Sequence, residues 1–334
     1  MKILVIRFSS IGDIVLTTPV LRCLKKKYPD AEIHYLTKVQ FHPLLIANPH
    51  IHKFHLLDND NLDDLIKTMQ AENYDVVIDL HKNLRTLKVK TALKAKQVFT
   101  FNKLNLEKWL KVNLKVDMLP DKHIVDRYLE ALAPLGVEND GQGLDYYIWE
   151  REVYDFVLSL VNTRYVAFAI GANHNTKKLP EENIFEICSK IHHKVYVLGG
   201  KKEEAVGEKL NDLFPAQIVN LCGKLTVNES AFILKHAQKV ITHDTGMMHI
   251  AAAFKKPILS VWGNTVPEFG MYPYYGDKNK EACEKQSFIF EVKGLSCRPC
   301  SKIGYDHCPK GHFKCMVTQD VEGIVRLANT VVTI

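Results

Sequence analysis

No stretch of this 334-residue chain reaches the roughly 18 uninterrupted apolar residues that crossing a membrane as a helix demands. Neither glycine signature of the common nucleotide folds occurs: there is no G-x-G-x-x-G after a strand and no G-x-x-x-x-G-K-[ST]. Their absence argues against a dinucleotide-dependent dehydrogenase and a P-loop NTPase. Low-complexity tracts and visible internal repeats are also missing. The opening "MKILVIRFSS" turns polar too soon for a secretory signal and reads as a first strand, so a cytoplasmic protein is expected. The formal charge of +6 is mild, short of a dedicated nucleic-acid binder.

What is present is a rhythm. Short β-branched runs (2–7, 32–37, 74–80, 97–101, 164–170, 194–200, 217–221, 239–244 and 257–263) alternate with amphipathic segments of helical length. Continuous apolar strands between helices predict parallel sheets covered on both faces. The polar, glycine-containing stretch 136–146 interrupts the alternation, which restarts after a helical pattern at 150–162. The expected organisation is therefore α/β, with one doubly wound domain over 1–160 and a second over 161–334. Ligands bind such sheets beyond the carboxyl ends of their strands.

Three strand-to-helix turns carry the chemistry. In "KVITHDTGMMHIAAA", Asp244, Thr245 and Gly246 separate a buried strand from an alanine-rich helix, with His249 one helical turn on. Asp-Thr-Gly occurs once, in an α/β setting, whereas an aspartic protease needs two such carboxylates on an all-β fold. An anion-binding turn fits better, because the first N–H groups of a helix lack internal partners and its dipole favours negative charge. Asp244 either caps that helix, holds the turn or meets a sugar hydroxyl. The second turn, Ser9-Ser10-Ile11-Gly12-Asp13, follows the first strand and sets a carboxylate at its carboxyl end. The third, "GANHNTKKLP", brings Asn173 and the lysine pair Lys177 and Lys178 to a strand end.

In this order, and together with "YDVVIDLHKNLRT" and "HIVDRYLEALAPLGV", these stretches resemble glycosyltransferase family 9, the bacterial heptosyltransferases of lipopolysaccharide core assembly. The resemblance spans nearly the whole chain. It implies a GT-B architecture, two Rossmann-like domains facing a central cleft, with the acceptor half first and the nucleotide-sugar half second. It implies inverting, metal-independent transfer from ADP-heptose to a lipid A–Kdo/heptose acceptor. By position Asp13 would be the catalytic base, and Lys177 would meet the donor phosphates. Ser10, Gly12, Asn173, Asp244, Thr245, Gly246 and His249 would line the donor, Leu225 would sit at the adenine, and Glu203, or else Glu204, would face the ribose. Ala172 and Asn173 replace hydroxyl residues usual in the lysine loop, and Leu179 replaces a tryptophan. These departures leave open another nucleotide sugar, while a non-catalytic nucleotide-sugar-binding protein is the reading from a different class.

Between 82 and 115 lie nine lysines and Arg85 against one acid, Glu107. Lys82 and Arg85 are the acceptor-binding candidates. The charge suits a phosphorylated or carboxylated glycolipid and peripheral binding at the cytoplasmic face of the inner membrane. Aromatics are too sparse in that run (Phe99, Phe101, Trp109) to favour nucleic acid. Finally, Cys297, Cys300, Cys308 and Cys315 form C-x2-C-x7-C-x6-C. The first pair has structural-zinc spacing and the second is loose, so free or redox-labile thiols are preferred over zinc.

Overall fold

A computed structural model describes residues 1–59 and 61–330. Eleven strands form two parallel sheets. The first contains β1 (Lys2–Ile6), β2 (Glu32–Lys38), β3 (Lys53–Leu57), β4 (Val76–Asp79) and β5 (Gln97–Thr100) in the order β3-β2-β1-β4-β5. The second contains β6 (Tyr165–Ala169), β7 (Lys194–Leu198), β8 (Ile218–Asn220), β9 (Lys239–His243), β10 (Ile258–Trp262) and β11 (Phe288–Glu291) in the order β11-β10-β9-β6-β7-β8. Each sheet therefore starts at its centre, winds to one edge, and returns to wind toward the other. The reversal falls between β1 and β4 in the first sheet and between β6 and β9 in the second, which is where open α/β sheets leave a crevice. All three turns singled out above leave these central strands.

Side chains alternate between faces along each strand. Ile3 and Val5 enter a buried core that also holds Tyr165, Ala167, Val240 and Met248 of the other half. Leu4 and Ile6 point oppositely, into a core with Ile66 and Met69 under the helix Leu62–Gln70. Val166, Phe168 and Ile170 face a third core, shared with Ile187, Met316 and Ile324. One apolar interior thus runs across both sheets, with a separate core on each outer face.

Nine strands lie where the β-branched runs predict. Two were not anticipated: β3, whose run "KFHLL" carries Lys53 and His55, and β11, the edge run "FIFE". The segment expected as one helix after β1 is two, Ile11–Val15 and Thr18–Lys27. Between them the Thr17 hydroxyl donates to the carbonyl of Ile14, a bond that competes with the helical ladder. In the stretch 150–162 only Asp155–Leu160 is α-helical, and it packs on the helix Val227–His236 of the second half. The helix Val321–Asn329 lies against Glu181–Lys190 and β10.

Candidate active site

The short helix Ile11–Val15 and the helix Gly246–Ala253 meet face to face across the two halves. Two glycines allow it. A Cβ at Gly12 would lie 2.6 Å from His249 Cδ2, and one at Gly246 would lie 2.5 Å from Ile11 Cγ2. Both distances are shorter than carbon contacts tolerate. The backbones of the first and second turns are therefore as close as they can come, and the side chains beside them line one crevice.

On the first wall stands Asp13. Its carboxylate is 2.6 Å from Arg7 Nη2 and accepts from the Ser10 hydroxyl at 2.8 Å and the Ser10 N–H at 3.1 Å. Burial pushes this carboxyl up, but the Arg7 guanidinium and the Ser10 bonds outweigh it and hold it below the ordinary aspartate value. Asp13 is therefore an anion at neutral pH. Arg7 is itself buried and held by the carbonyls of Ser9 and Leu80 and by the Tyr128 hydroxyl. Sequence reading missed Arg7. The signal available was an arginine ending an otherwise apolar central strand, "KILVIR", where burial requires a partner carboxylate.

On the second wall Lys177 Nζ lies 2.6 Å from Asp244 Oδ2 and 3.3 Å from its carbonyl. The same Oδ2 accepts from the Thr265 hydroxyl at 2.7 Å. Asp244 thus holds the lysine loop to the turn and does not cap the helix, whose N-cap is Thr245. Thr265, just after β10, is a second residue the sequence did not flag. His249 is buried against Gly12, and its Nδ1 has no partner among the described residues. Burial drives its pKa down to about 4, so it is neutral, with the charges of Asp244, Asp13 and Lys177 around it.

Glu203 closes the far end of this wall. It is buried, accepts from the Gly200 N–H at 3.0 Å and pairs with Lys178 Nζ at 3.2 Å. A Cβ at Gly171 would come within 3.1 Å of its Oε2, so Glu203 lies beside the end of β6. Glu204 approaches Gly223 instead. Leu225 is partly buried just before the cap Thr226 of the helix Val227–His236. Asn173 is exposed, its amide 3.2 Å from His174 Nε2.

The acceptor candidates separate. Asp79 ends β4 and accepts from the N–H groups of His81 and Lys82 at 2.9 and 2.7 Å, which fixes the turn presenting Lys82. Arg85 opens onto a cavity of about 290 Å³ with Lys38, Gln40 and Asp58, at the ends of β2 and β3. Lys103 and Lys108 both feel the charge of Asp13 and that of Lys302. Burial, then Arg127, brings Lys108 down to about 8. Arg127 is buried with Nε and Nη1 unpartnered among the described residues. Of the lysine run, Lys88, Lys90, Lys96 and Lys111 are engaged by Asp63, Asp79, Asp75 and Asp117. The run is less charged than its sequence suggests.

None of the four clustered cysteines is in a disulfide; Cys297 Sγ lies 3.7 Å from His312 Nε2, and burial pushes Cys315 up to about 12. Among the described residues the three groups whose ligand atoms lie within 4.8 Å of one another are His34, His55 and Glu72. They stand on β2, on β3 and near the start of β4. The two imidazoles are bridged there by the Tyr74 hydroxyl at 2.8 Å from each.

Two doubly wound sheets facing a crevice form the GT-B fold, and the family match given below makes the chain a glycosyltransferase of that class. Solved structures of like fold include a family 9 glycosyl transferase from Veillonella parvula (TM-score 0.77, 21% identity, covering 98% of this chain and 96% of that one). Another is the E. coli heptosyltransferase WaaC with ADP (TM-score 0.71, 20% identity, 98% of each chain). The model of glycosyltransferase family 9 (heptosyltransferase) matches residues 63–295, and the chain belongs to that family. Curated relatives include lipopolysaccharide heptosyltransferase 3 of E. coli K12, 28% identical over 283 residues (76% of this chain, 80% of the relative). Lipooligosaccharide heptosyltransferase 2 of Haemophilus influenzae is 25% identical over 303 residues (80% and 85%).

Proposed function

We propose that the protein transfers heptose, with inversion, from ADP-heptose to an anionic lipopolysaccharide-core acceptor of the lipid A–Kdo/heptose type, met at the inner-leaflet surface. The observation that carries this reading is the opposition of Asp13 and the Lys177–Asp244 turn across the Gly12–His249 contact. The acceptor hydroxyl attacks the anomeric carbon opposite the diphosphate. Its new C–O bond forms as the bond to the leaving oxygen breaks. Asp13 takes the hydroxyl proton, and ADP departs with the electron pair. A carboxylate made less basic by Arg7 accepts that proton late, when the attacking oxygen has already turned acidic.

Charge on the departing diphosphate is met by the free N–H groups opening the helix Gly246–Ala253 and by Lys177, which exchanges Asp244 for phosphate oxygens. These donors supply the role a divalent ion plays elsewhere, so no metal is required. Thr265 keeps Asp244 in place during the exchange. Glu203 is assigned to the ribose, Leu225 to the adenine, and the half up to residue 160 to the acceptor. Lys103, Lys108, Arg127 and Lys302 favour an acceptor bearing phosphate or carboxylate.

The test is Asp13→Ala with ADP-heptose and a core acceptor, following ADP release in a single turnover. Donor affinity should persist while the rate falls by at least about a hundredfold. A near-normal rate would remove Asp13 as the base.

A further inference from the structure

The stretch 84–118 exposes large apolar side chains that nothing in the fold covers. Leu84 is 85% exposed, Leu106 66% and Trp109 53%, with Leu87, Leu114 and Met118 also exposed. They are not scattered. Leu84 and Leu87 open the helix Leu84–Leu93, and Leu106 and Trp109 open the helix Asn105–Asn113. Each pair is three residues apart, hence on one helical face. The two helices follow β4 and β5, neighbouring strands, so both first turns rise from the carboxyl rim of the first sheet. That rim is also where β1 delivers Asp13. Cations flank the first of these turns: Lys82 and Arg85, on either side of Leu84, have no carboxylate partner among the described residues, whereas four other lysines of the run are neutralised.

We infer that this rim is a membrane-docking surface, with Leu106, Trp109 and Leu84 inserted at the headgroup–acyl boundary of an anionic bilayer. The occupant follows from the chemistry. Leucines and a tryptophan flanked by unpaired cations suit an interface that is apolar below and negative above. A protein partner's apolar face would leave Lys82 and Arg85 uncompensated. The inference rests on the proposed glycolipid acceptor and adds the route by which it arrives: a headgroup sugar rising from a bilayer held at this rim enters the crevice on the Asp13 side.

The experiment uses the full chain and vesicles of phosphatidylethanolamine with 30% phosphatidylglycerol, a composition chosen to make the surface negative, against phosphatidylcholine alone. Cosedimentation should occur with the anionic vesicles and weaken as salt rises. Lipids brominated near the headgroup should quench the fluorescence of Trp109 in a Trp149→Phe background, where the other remaining tryptophan, Trp262, is buried and out of their reach. The double variant Leu106→Ser/Trp109→Ser changes exposed positions, so folding should be kept, and vesicle binding should fall by about tenfold or more. Transfer to a delipidated, water-soluble acceptor should be unchanged in that variant, while the KM for vesicle-borne acceptor rises. Unaltered vesicle binding by the double variant, or wild-type transfer without vesicle binding, would overturn the docking surface and leave the transferase reading standing. Vesicle binding without transfer from any ADP-sugar would do the reverse.

Discussion

Replacing Arg7 by methionine removes the guanidinium that outweighs burial at Asp13. Burial is then opposed by the Ser10 bonds alone, and the pKa of the carboxyl rises. The acid limb of kcat/KM should move to higher pH, a shift that a pH–rate profile against wild type reads directly. The sign for stability follows from linkage. A carboxyl whose pKa is lowered by folding contributes stability that is present above the unfolded value and is lost as pH falls through the folded one. Arg7→Met forfeits that contribution at neutral pH, so its unfolding midpoint should drop as well. An unmoved acid limb would mean that Arg7 does not set the state of Asp13. At this scale the residues that the structure brings together in the crevice were legible because strand-to-helix turns advertise their acids and lysines: Asp13, Lys177, Asp244 and His249 could be named from local pattern. Thr265 was not, because it acts through Asp244, 21 residues earlier in the chain, and Arg7 was passed over although it ends an apolar strand.

Among the elements, the helices Ile11–Val15 and Gly246–Ala253 control the width of the crevice. Gly246→Ala would force its methyl into Ile11 Cγ2 at 2.5 Å and against the Gly12 N–H at 3.1 Å. Neither neighbour is a flexible chain end, so the two turns must separate. Overpacking of this kind typically costs about 1–3 kcal/mol. Thermal denaturation should show that loss, with a lower kcat as Asp13 retreats from the donor turn. A variant of unchanged stability and rate would mean that the turns are not in contact during transfer. Most elements were readable from apolar runs. β3 escaped because Lys53 and His55 interrupt its pattern, and the break at Thr17 escaped because a hydroxyl donating backward along a helix leaves the apolar periodicity intact.

For the whole molecule, the buried apolar cluster that joins Ile3 and Val5 to Tyr165, Val240 and Met248 makes the halves one cooperative body. Differential scanning calorimetry of the ligand-free chain should show a single transition whose calorimetric and van't Hoff enthalpies agree. Two resolved transitions would mean that each sheet carries its own stability. The doubly wound class could be read from the alternation of runs, but the packing of one half on the other could not. Nothing local in the sequence announces that Tyr165 and Ile3 share an interior.

The paired glycines at 12 and 246 have a consequence for how such a protein can diversify. Neither offers a group for a sugar or a nucleotide to recognise, yet any side chain there would act as a spacer between the two walls of the crevice. New acceptors or donors must therefore be acquired at the periphery, by altering loops such as 172–179 or 81–85, while this bare joint stays bare.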